Sequence, residues 1–196
     1  KRESKYFTMR EISLPTHESF TLLAVHNKSL LWRNSSSQDS TLIELSRMIR
    51  EEEKDIGHSR TIVTGDFNAD PFGEGMISSV GMHSMMCRTV ASRGSRKVSP
   101  WGDSPFFYNP TWSLFGDEGN GPPGTYYRAG VEENCRFWHM FDQVLVRPAM
   151  IPFLPARSVE VPTTAGGLNL LDKSGRPKAS DHLPLLFSIN LPLVIK

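Results

Sequence analysis

The run from 61 to 71 constrains the fold of this chain more than any other segment. It reads TIVTGDFNADP, so the β-branched residues of Thr61–Thr64 give way to a glycine and short oxygen-bearing side chains. β-Branched apolar residues favour a buried strand, and glycine is typical of its end. Asp66 and Asn68 are two positions apart, so locally extended backbone directs both side chains to one face. The run predicts a core strand that delivers an acid and an amide to a water or metal site.

Length and composition favour one domain. The chain has 196 residues, of which 38% are hydrophobic, which is enough to bury a substantial core. Its 22 basic and 21 acidic side chains nearly balance, which argues against a general polyanion-binding protein. Cys87 and Cys135 lack the spacing of a zinc site or a disulfide framework and suit a reducing compartment. No apolar run approaches the ~20 residues of a transmembrane helix, so we expect a soluble, cytoplasmic protein.

Apolar patterns predict strands on both sides of the central run. Tyr6–Leu14 and Ser19–Val25 predict a β-hairpin, because a turn-like segment separates them. Further strands are predicted at Phe106–Tyr108, Thr125–Arg128, Phe137–Val146, Ile151–Val161 and Leu183–Leu191. Strands therefore predominate, without the regular βαβ alternation of a doubly wound fold. We predict an α/β (α+β) fold with a mixed or antiparallel sheet.

Two helices are predicted beside the central strand. Apolar residues recur at helical spacing after the N-cap candidates of Ser35–Asp39, and this helix should end near Gly57. Its acidic triplet, Glu51–Glu53, is interpreted as a solvated face. A second, short helix is predicted over Gly73–Val80, with Asp70 as its cap.

Polar clusters stand at the ends of four predicted strands. They are His26, the pair Asp66 and Asn68, Asp142, and Ser180–Asp181–His182. Strand ends are held by backbone hydrogen bonds, as a preorganised site requires. Asp181 and His182 are adjacent, so both can serve one site only if the backbone bends there. The chain lacks a G-x-S-x-G elbow, which argues against serine-nucleophile chemistry.

Together these motifs resemble the endonuclease/exonuclease/phosphatase superfamily of magnesium-dependent phosphoesterases. Gly65–Asn68 matches the family's Gly-Asp-Phe-Asn motif, and Ser180–His182 matches its C-terminal Ser-Asp-His motif. Asp142 stands where the family has an acid on a penultimate strand, and His26 where it often has a histidine. The resemblance implies a single domain over 1–196 with a deoxyribonuclease I-like fold, a two-layer β-sandwich flanked by helices.

The resemblance also implies a water-activating and metal-binding group. Asp66 would orient or deprotonate the attacking water, and Asn68 would position that water or the phosphate. Asp181 would be a metal or hydrogen-bonding partner, and Asp66 would also bind the metal. Oxygen ligands of this kind favour Mg²⁺ or Mn²⁺.

A second implied group handles the phosphate. His182, hydrogen-bonded to Asp142, would stabilise charge on the phosphoryl group, and His26 would contact a phosphate oxygen. Lys28 and Arg33 follow His26 closely and are predicted to bind substrate phosphate. The remaining histidines are interpreted as surface or packing residues: His17, His58, His83 and His139.

The family supplies an asparagine and a metal-binding glutamate from its first strands, and Lys1–Leu14 matches neither. We therefore interpret the chain as the C-terminal part of the domain, truncated at its N-terminus, and expect the fragment alone to be a poor enzyme. Unpaired sheet edges predict a homodimer. The favoured function is a nuclease-like phosphodiesterase with nucleic acid among its substrates. Two alternatives stay open: a phosphatase or phospholipase-type enzyme acting on a small or lipid phosphoester, and a non-catalytic binding module.

Overall fold

A seven-stranded mixed sheet forms the centre of the structure. The computed structural model describes residues 2–27, 35–100, 102–116, 121–131 and 136–191, with the side chains of the first helix described from Gln38 onward. The strands are β1 (Arg2–Glu3), β2 (Phe7–Ile12), β3 (Phe20–His26), β4 (Thr61–Asp66), β5 (Ser84–Met85), β6 (Ser95–Val98), β7 (Gly102–Pro105), β8 (Phe107–Tyr108), β9 (Tyr126–Tyr127), β10 (Trp138–His139), β11 (Asp142–Val146), β12 (Val159–Glu160), β13 (Thr164–Ala165), β14 (Leu168–Asn169) and β15 (Leu186–Phe187). The helices are α1 (Ser35–Ile56), α2 (Glu74–Ile77) and α3 (Arg88–Ala91), with 3₁₀ helices at Pro110–Leu114 and Pro148–Phe153.

The central sheet has the strand order β1-β2-β3-β4-β11-β8-β5. The pairs β3–β4 and β5–β8 are parallel, and the other neighbours are antiparallel. The predicted hairpin, first helix and central strand are confirmed as β2–β3, α1 and β4. The edges of this sheet are the short strands β1 and β5, and the homodimer through exposed edges stays a prediction.

Apolar side chains cover both faces of the sheet. Val63 of β4 and Leu145 of β11 share a core cluster with the apolar residues of α1. Ile62 and Val144 face the other way, where they share a cluster with Val159 of β12 and residues of β15. The sheet therefore lies between α1 and a second layer that contains the β12–β15 pair. This arrangement confirms the predicted α/β class and its layered architecture.

Proline explains why one predicted strand is mostly absent. Within Ile151–Val161 only Val159–Glu160 is a strand, and Pro148–Phe153 forms a 3₁₀ helix instead. Pro152 and Pro155 lack the N–H that a ladder needs, so an extended strand over this segment was a wrong prediction.

Two other strand predictions were too long. Leu183–Leu191 contributes only the two residues of β15 to a strand, because Pro184 lacks the N–H that a ladder needs. Phe137–Val146 is divided into β10 and β11, because the Met140 N–H donates to the carboxylate of Asp70 rather than to a strand.

Among the described residues, no helix combines the length and the apolar character needed to cross a bilayer.

The predicted cap of the second helix was also wrong. The helix α2 covers only Glu74–Ile77, Gly73 occupies its N-cap position, and no side chain caps it. The Asp70 carboxylate points elsewhere and accepts hydrogen bonds from Arg136, His139 and the backbone N–H of Met140. Asp70 therefore joins the loop after β4 to the β9–β10 hairpin.

A buried arginine anchors α1 to the sheet. The Arg147 side chain is 1% exposed, and its Nε and Nη2 donate to the Glu53 carboxylate at 2.8 and 3.0 Å. Its Nη1 donates to the carbonyl oxygens of Pro105 and Phe106, and its guanidinium lies 3.9 Å from the ring centroid of Phe107. The interpretation of the acidic triplet as a solvated face is therefore wrong for Glu53.

Replacing Glu53 by glutamine tests this anchor. The variant leaves a buried guanidinium without its counter-charge, and we expect the free energy of unfolding to fall by about 2–3 kcal/mol. Urea denaturation followed by circular dichroism measures the change. The matched control is Glu44→Gln on an exposed position of the same helix, which should change stability by less than about 0.5 kcal/mol. Equal effects of the two substitutions would contradict the anchoring role.

Candidate active site

Strand pairing brings three polar side chains into one row across one end of the central strands β3, β4 and β11. The parallel register of β3 and β4 pairs His26 with Asp66, and the antiparallel register of β4 and β11 pairs Asp142 with the same Asp66. Paired residues project from the same face of a sheet, so all three side chains lie on the side of Ile62 and Val144. The His26 Nε2 is 3.7 Å from Asp66 Oδ2. We call His26, Asp66 and Asp142 the polar row.

His182 reaches the polar row from a separate segment. The Leu183 N–H donates to the Thr125 carbonyl at 2.7 Å, and an isolated bridge joins Tyr126 to His182. The His182 Nδ1 is then 2.7 Å from Asp142 Oδ2, which is the contact that the motifs implied. The segment is irregular here, so Asp181 and His182 line the same cavity although they are adjacent.

A tight turn after β4 orients the Asp66 carboxylate. Asn68 has a left-handed φ of 49°, and its backbone N–H donates to Asp66 Oδ1 at 2.8 Å. Its Nδ2 donates to Asp66 Oδ2 at 2.7 Å and to the Asn27 carbonyl at 3.0 Å. The two side chains meet through this turn, so the expectation that extended backbone would align them was wrong. Both amide hydrogens of Asn68 are used within the protein, which makes it a positioning group for Asp66.

The backbone around this turn is held from several sides. Gly65 has a φ of 131°, and a Cβ there would lie 2.1 Å from the Val25 carbonyl oxygen of β3. The close approach therefore requires glycine. Gln38 of α1 donates to the Asn68 carbonyl at 2.9 Å, and Asn27 donates to the Phe67 carbonyl at 3.1 Å. These contacts fix the loop that carries Asp66.

The polar row and His182 line a cavity of about 530 Å³. Asn68 and Asp181, two of the predicted site residues, contribute to its walls, whereas Lys28 and Arg33 lie outside the described residues. Four further wall residues were not predicted: Tyr126, Arg128, His139 and Phe141. His139 was interpreted as a surface or packing residue. The sequence signal that could have placed His139 in the cavity is its position three residues before Asp142, in a segment predicted to be extended.

Burial and neighbouring charges shift two pKa values in the cavity. Burial raises the pKa of Asp66 to about 6; the Asn68 hydrogen bond opposes this shift, and the negative charge of Asp142 adds to it. Burial alone lowers the pKa of His182, but the hydrogen bond and charge of Asp142 outweigh it, so the net shift is upward. The site therefore pairs an acid that holds its proton unusually well with an imidazole that favours its charged form.

The same residues include a candidate cation site. Asp66, Asp142 and His182 each offer a ligand atom, and these atoms lie within 4.8 Å of one another. The raised pKa of His182 favours an imidazolium, which cannot act as a ligand. Two carboxylates remain, and Mg²⁺ is commonly held by one or two carboxylates together with water and substrate oxygens. Asp181 lines the cavity but does not belong to this group.

No family model matches this chain. No curated protein matches it. Several solved structures are similar to it. The human Nocturnin catalytic domain with bound sulfate shares 16% identity and a TM-score of 0.47, over 95% of this chain and 61% of that one. An endonuclease/exonuclease/phosphatase family protein from Bacteroides thetaiotaomicron shares 16% identity and a TM-score of 0.45, over 85% and 49%.

A 3'-5' exonuclease from Neisseria meningitidis shares 19% identity and a TM-score of 0.44, over 87% of this chain and 61% of that one. The chain thus spans 49–61% of the length of these three structures.

The substitution Asp66→Asn tests the pKa of the buried carboxyl. Between its unfolded pKa of 3.8 and its folded pKa of about 6, Asp66 keeps a proton that the unfolded chain has released. Wild-type stability should therefore fall as the pH rises through this window, by up to about 3 kcal/mol from this group. Asp66→Asn removes that fall, so the variant should gain stability relative to wild type between about pH 4 and pH 7.

Urea denaturation in a chelating buffer at several pH values measures this difference. The control Asp103→Asn lies at an exposed position of β7 and should parallel the wild type throughout. A difference between Asp66→Asn and wild type that stays constant with pH would show that the carboxyl titrates normally.

Proposed function

We propose that this chain is part of a divalent-metal-dependent phosphoester hydrolase of the endonuclease/exonuclease/phosphatase type. The observation that carries the proposal is the convergence of the polar row and His182 on one cavity. These side chains come from four segments spread between 26 and 182, and each is held by contacts from outside its own segment. Turn capping or surface solvation explains each residue separately, but neither requires them to meet.

Asp66 is the proposed base for the attacking water. Its carboxylate accepts hydrogen bonds from the backbone N–H and from the side-chain Nδ2 of Asn68, which leaves little freedom for it to turn. Burial raises the pKa of Asp66 to about 6 without a cation, and a bound cation would return it toward the ionised form that accepts a proton from water. Asn68 then contributes by orienting Asp66, and its Oδ1 is the atom it can offer to water.

His182 and His26 are the proposed phosphate contacts. Asp142 holds the His182 Nδ1 edge at 2.7 Å, so Nε2–H of the charged ring can donate to a phosphoryl oxygen. Charge on those oxygens develops in the transition state, where fixed donors stabilise it most. The His26 side chain is 82% exposed beside Asp66, which leaves it accessible to a second oxygen.

Mg²⁺ or Mn²⁺ is the proposed cofactor. Asp66 and Asp142 would hold it through their carboxylate oxygens. When bound, such an ion neutralises phosphoryl charge and acidifies water. Its charge would also favour the ionised form of Asp66 and so oppose the effect of burial.

A phosphodiester is the proposed substrate, with nucleic acid included. Arg128, Tyr126 and Phe141 line the same cavity as the phosphate contacts, so the cavity offers a cation and aromatic surface. This combination suits a phosphate that carries further groups on both sides. We propose the same activity, substrates and partners for the whole protein.

Hydrolysis of bis(4-nitrophenyl) phosphate tests the function directly. In the longest natural form of the protein we expect Mg²⁺-dependent release of nitrophenolate that chelation abolishes, and losses of about 100-fold or more in Asp66→Asn and in His182→Gln. The matched controls Asp103→Asn and His17→Gln lie outside the cavity and should retain the wild-type rate. Absorbance of the released nitrophenolate gives the rate constants.

The outcomes separate the alternatives. Activity that persists in a chelator, or in both cavity variants, would contradict the proposed chemistry. A strong preference for 4-nitrophenyl phosphate would indicate a phosphatase instead of a phosphodiesterase. Absence of metal-dependent hydrolysis in the longest natural form of the protein would favour a binding module.

A further inference from the structure

The cavity contains a second carboxylate–imidazole pair that the proposed function does not use. The His139 Nδ1 lies 3.0 Å from Asp70 Oδ2, in the same arrangement as His182 with Asp142. The Asp70 side chain is 7% exposed and that of His139 is 21% exposed. A buried carboxylate thus holds an imidazole in the wall of the same cavity.

Both imidazoles rest on one pair of aromatic rings. Tyr126 and Phe141 are stacked, with centroids 5.1 Å apart. The His139 ring lies 4.7 Å from that of Phe141, and the His182 ring lies 4.7 Å from that of Tyr126. Strand pairing of Tyr126 with His139 fixes this geometry from the backbone. His139 is therefore held as firmly as His182, which simple wall packing does not require.

The partners of Asp70 determine what His139 can offer. The Arg136 guanidinium donates to Asp70 Oδ2 at 2.7 Å, and the Met140 N–H donates to Oδ1 at 3.0 Å. Arg136 supplies a counter-charge to Asp70, so the hydrogen bond between His139 and Asp70 needs only the Nδ1–H of the imidazole. A neutral ring that donates through Nδ1 presents Nε2 as an acceptor. The polar edge of His139 left for a ligand therefore accepts a hydrogen bond, which suits a hydroxyl better than a phosphate oxygen.

We propose that His139 contacts the substrate, and that its Nε2 accepts a hydrogen bond from a hydroxyl group on the alcohol portion of the phosphoester. Asp70 is then its positioning residue. The inference rests on the proposed function, because it places the phosphoryl group at His182 and the alcohol portion toward His139. It identifies the substrate class as phosphoesters of hydroxyl-bearing alcohols such as sugars, including the sugar of a nucleotide.

Ring nitrogen resonances of the histidines test the contact without turnover. The chain, with labelled histidine and a chelator present, is titrated with thymidine 5'-monophosphate and, separately, with inorganic phosphate. We expect the His182 resonances to respond to both probes, since both carry a phosphoryl group. The His139 Nε2 resonance should respond only to the nucleotide, which carries the hydroxyl.

Each other outcome overturns a defined part. A response of His182 without one of His139 overturns this inference and leaves the proposed function standing. Equal responses of His139 to both probes overturn the hydroxyl contact. No response of either ring to either probe at millimolar concentration, either with the chelator or with Mg²⁺ in its place, overturns the proposed function and the inference together.

Two substitutions separate contact from wall packing. In His139→Asn the amide can replace Nδ1 toward Asp70, but nothing replaces Nε2, so affinity for thymidine 5'-monophosphate should fall about tenfold. Affinity for inorganic phosphate should not change. In His139→Gln the longer side chain carries its amide to the place of Nε2, and the loss should be smaller. Wild-type nucleotide affinity in His139→Asn, with the fold intact by circular dichroism, overturns the contact.

Discussion

The register of β4 against its two neighbours is the constraint on which the site depends. It places His26 and Asp142 on either side of Asp66, and a slip of one residue would turn the shifted side chain to the other face of the sheet. The apolar residues of β4 hold this register, since Ile62 and Val63 occupy different cores on opposite faces. The polar row is therefore a product of how the hydrophobic layers pack, although none of its members is apolar.

Packing two carboxylates side by side carries a cost in stability. Burial and the charge of Asp142 raise the pKa of Asp66, while Asn68 and the imidazole of His182 limit the rise. The contrast with Arg147 and Glu53 is informative, because that buried pair balances its charges and anchors α1. The unbalanced charge in the cavity is available to a cation or a phosphoryl group. The same arrangement that weakens the ligand-free fold is the one that suits phosphoester chemistry.

Much of the fold and part of the site could be predicted from local patterns. Alternation and helical spacing located the hairpin, α1 and β4, since these depend on neighbouring residues. The motifs at Asp66 and His182 identified two sides of the cavity. The patterns did not locate the partners of Asp70, because Arg136 and His139 lie 66 and 69 residues along the chain. The local sequence around Asp70 is the same whether its side chain caps the next helix or binds a distant hairpin.

The sequence by itself determined which chemical groups stand at the strand ends and which segments can form the core. It also determined that glycine precedes Asp66, where the chain must pass close to Val25. Only the tertiary structure decided that Asp66 titrates near pH 6, that Asn68 orients it, and that His139 shares the cavity with His182. The physical reason is that burial, dielectric environment and charge at a residue come from segments distant in the chain. Their positions follow from packing and register, which no local pattern records.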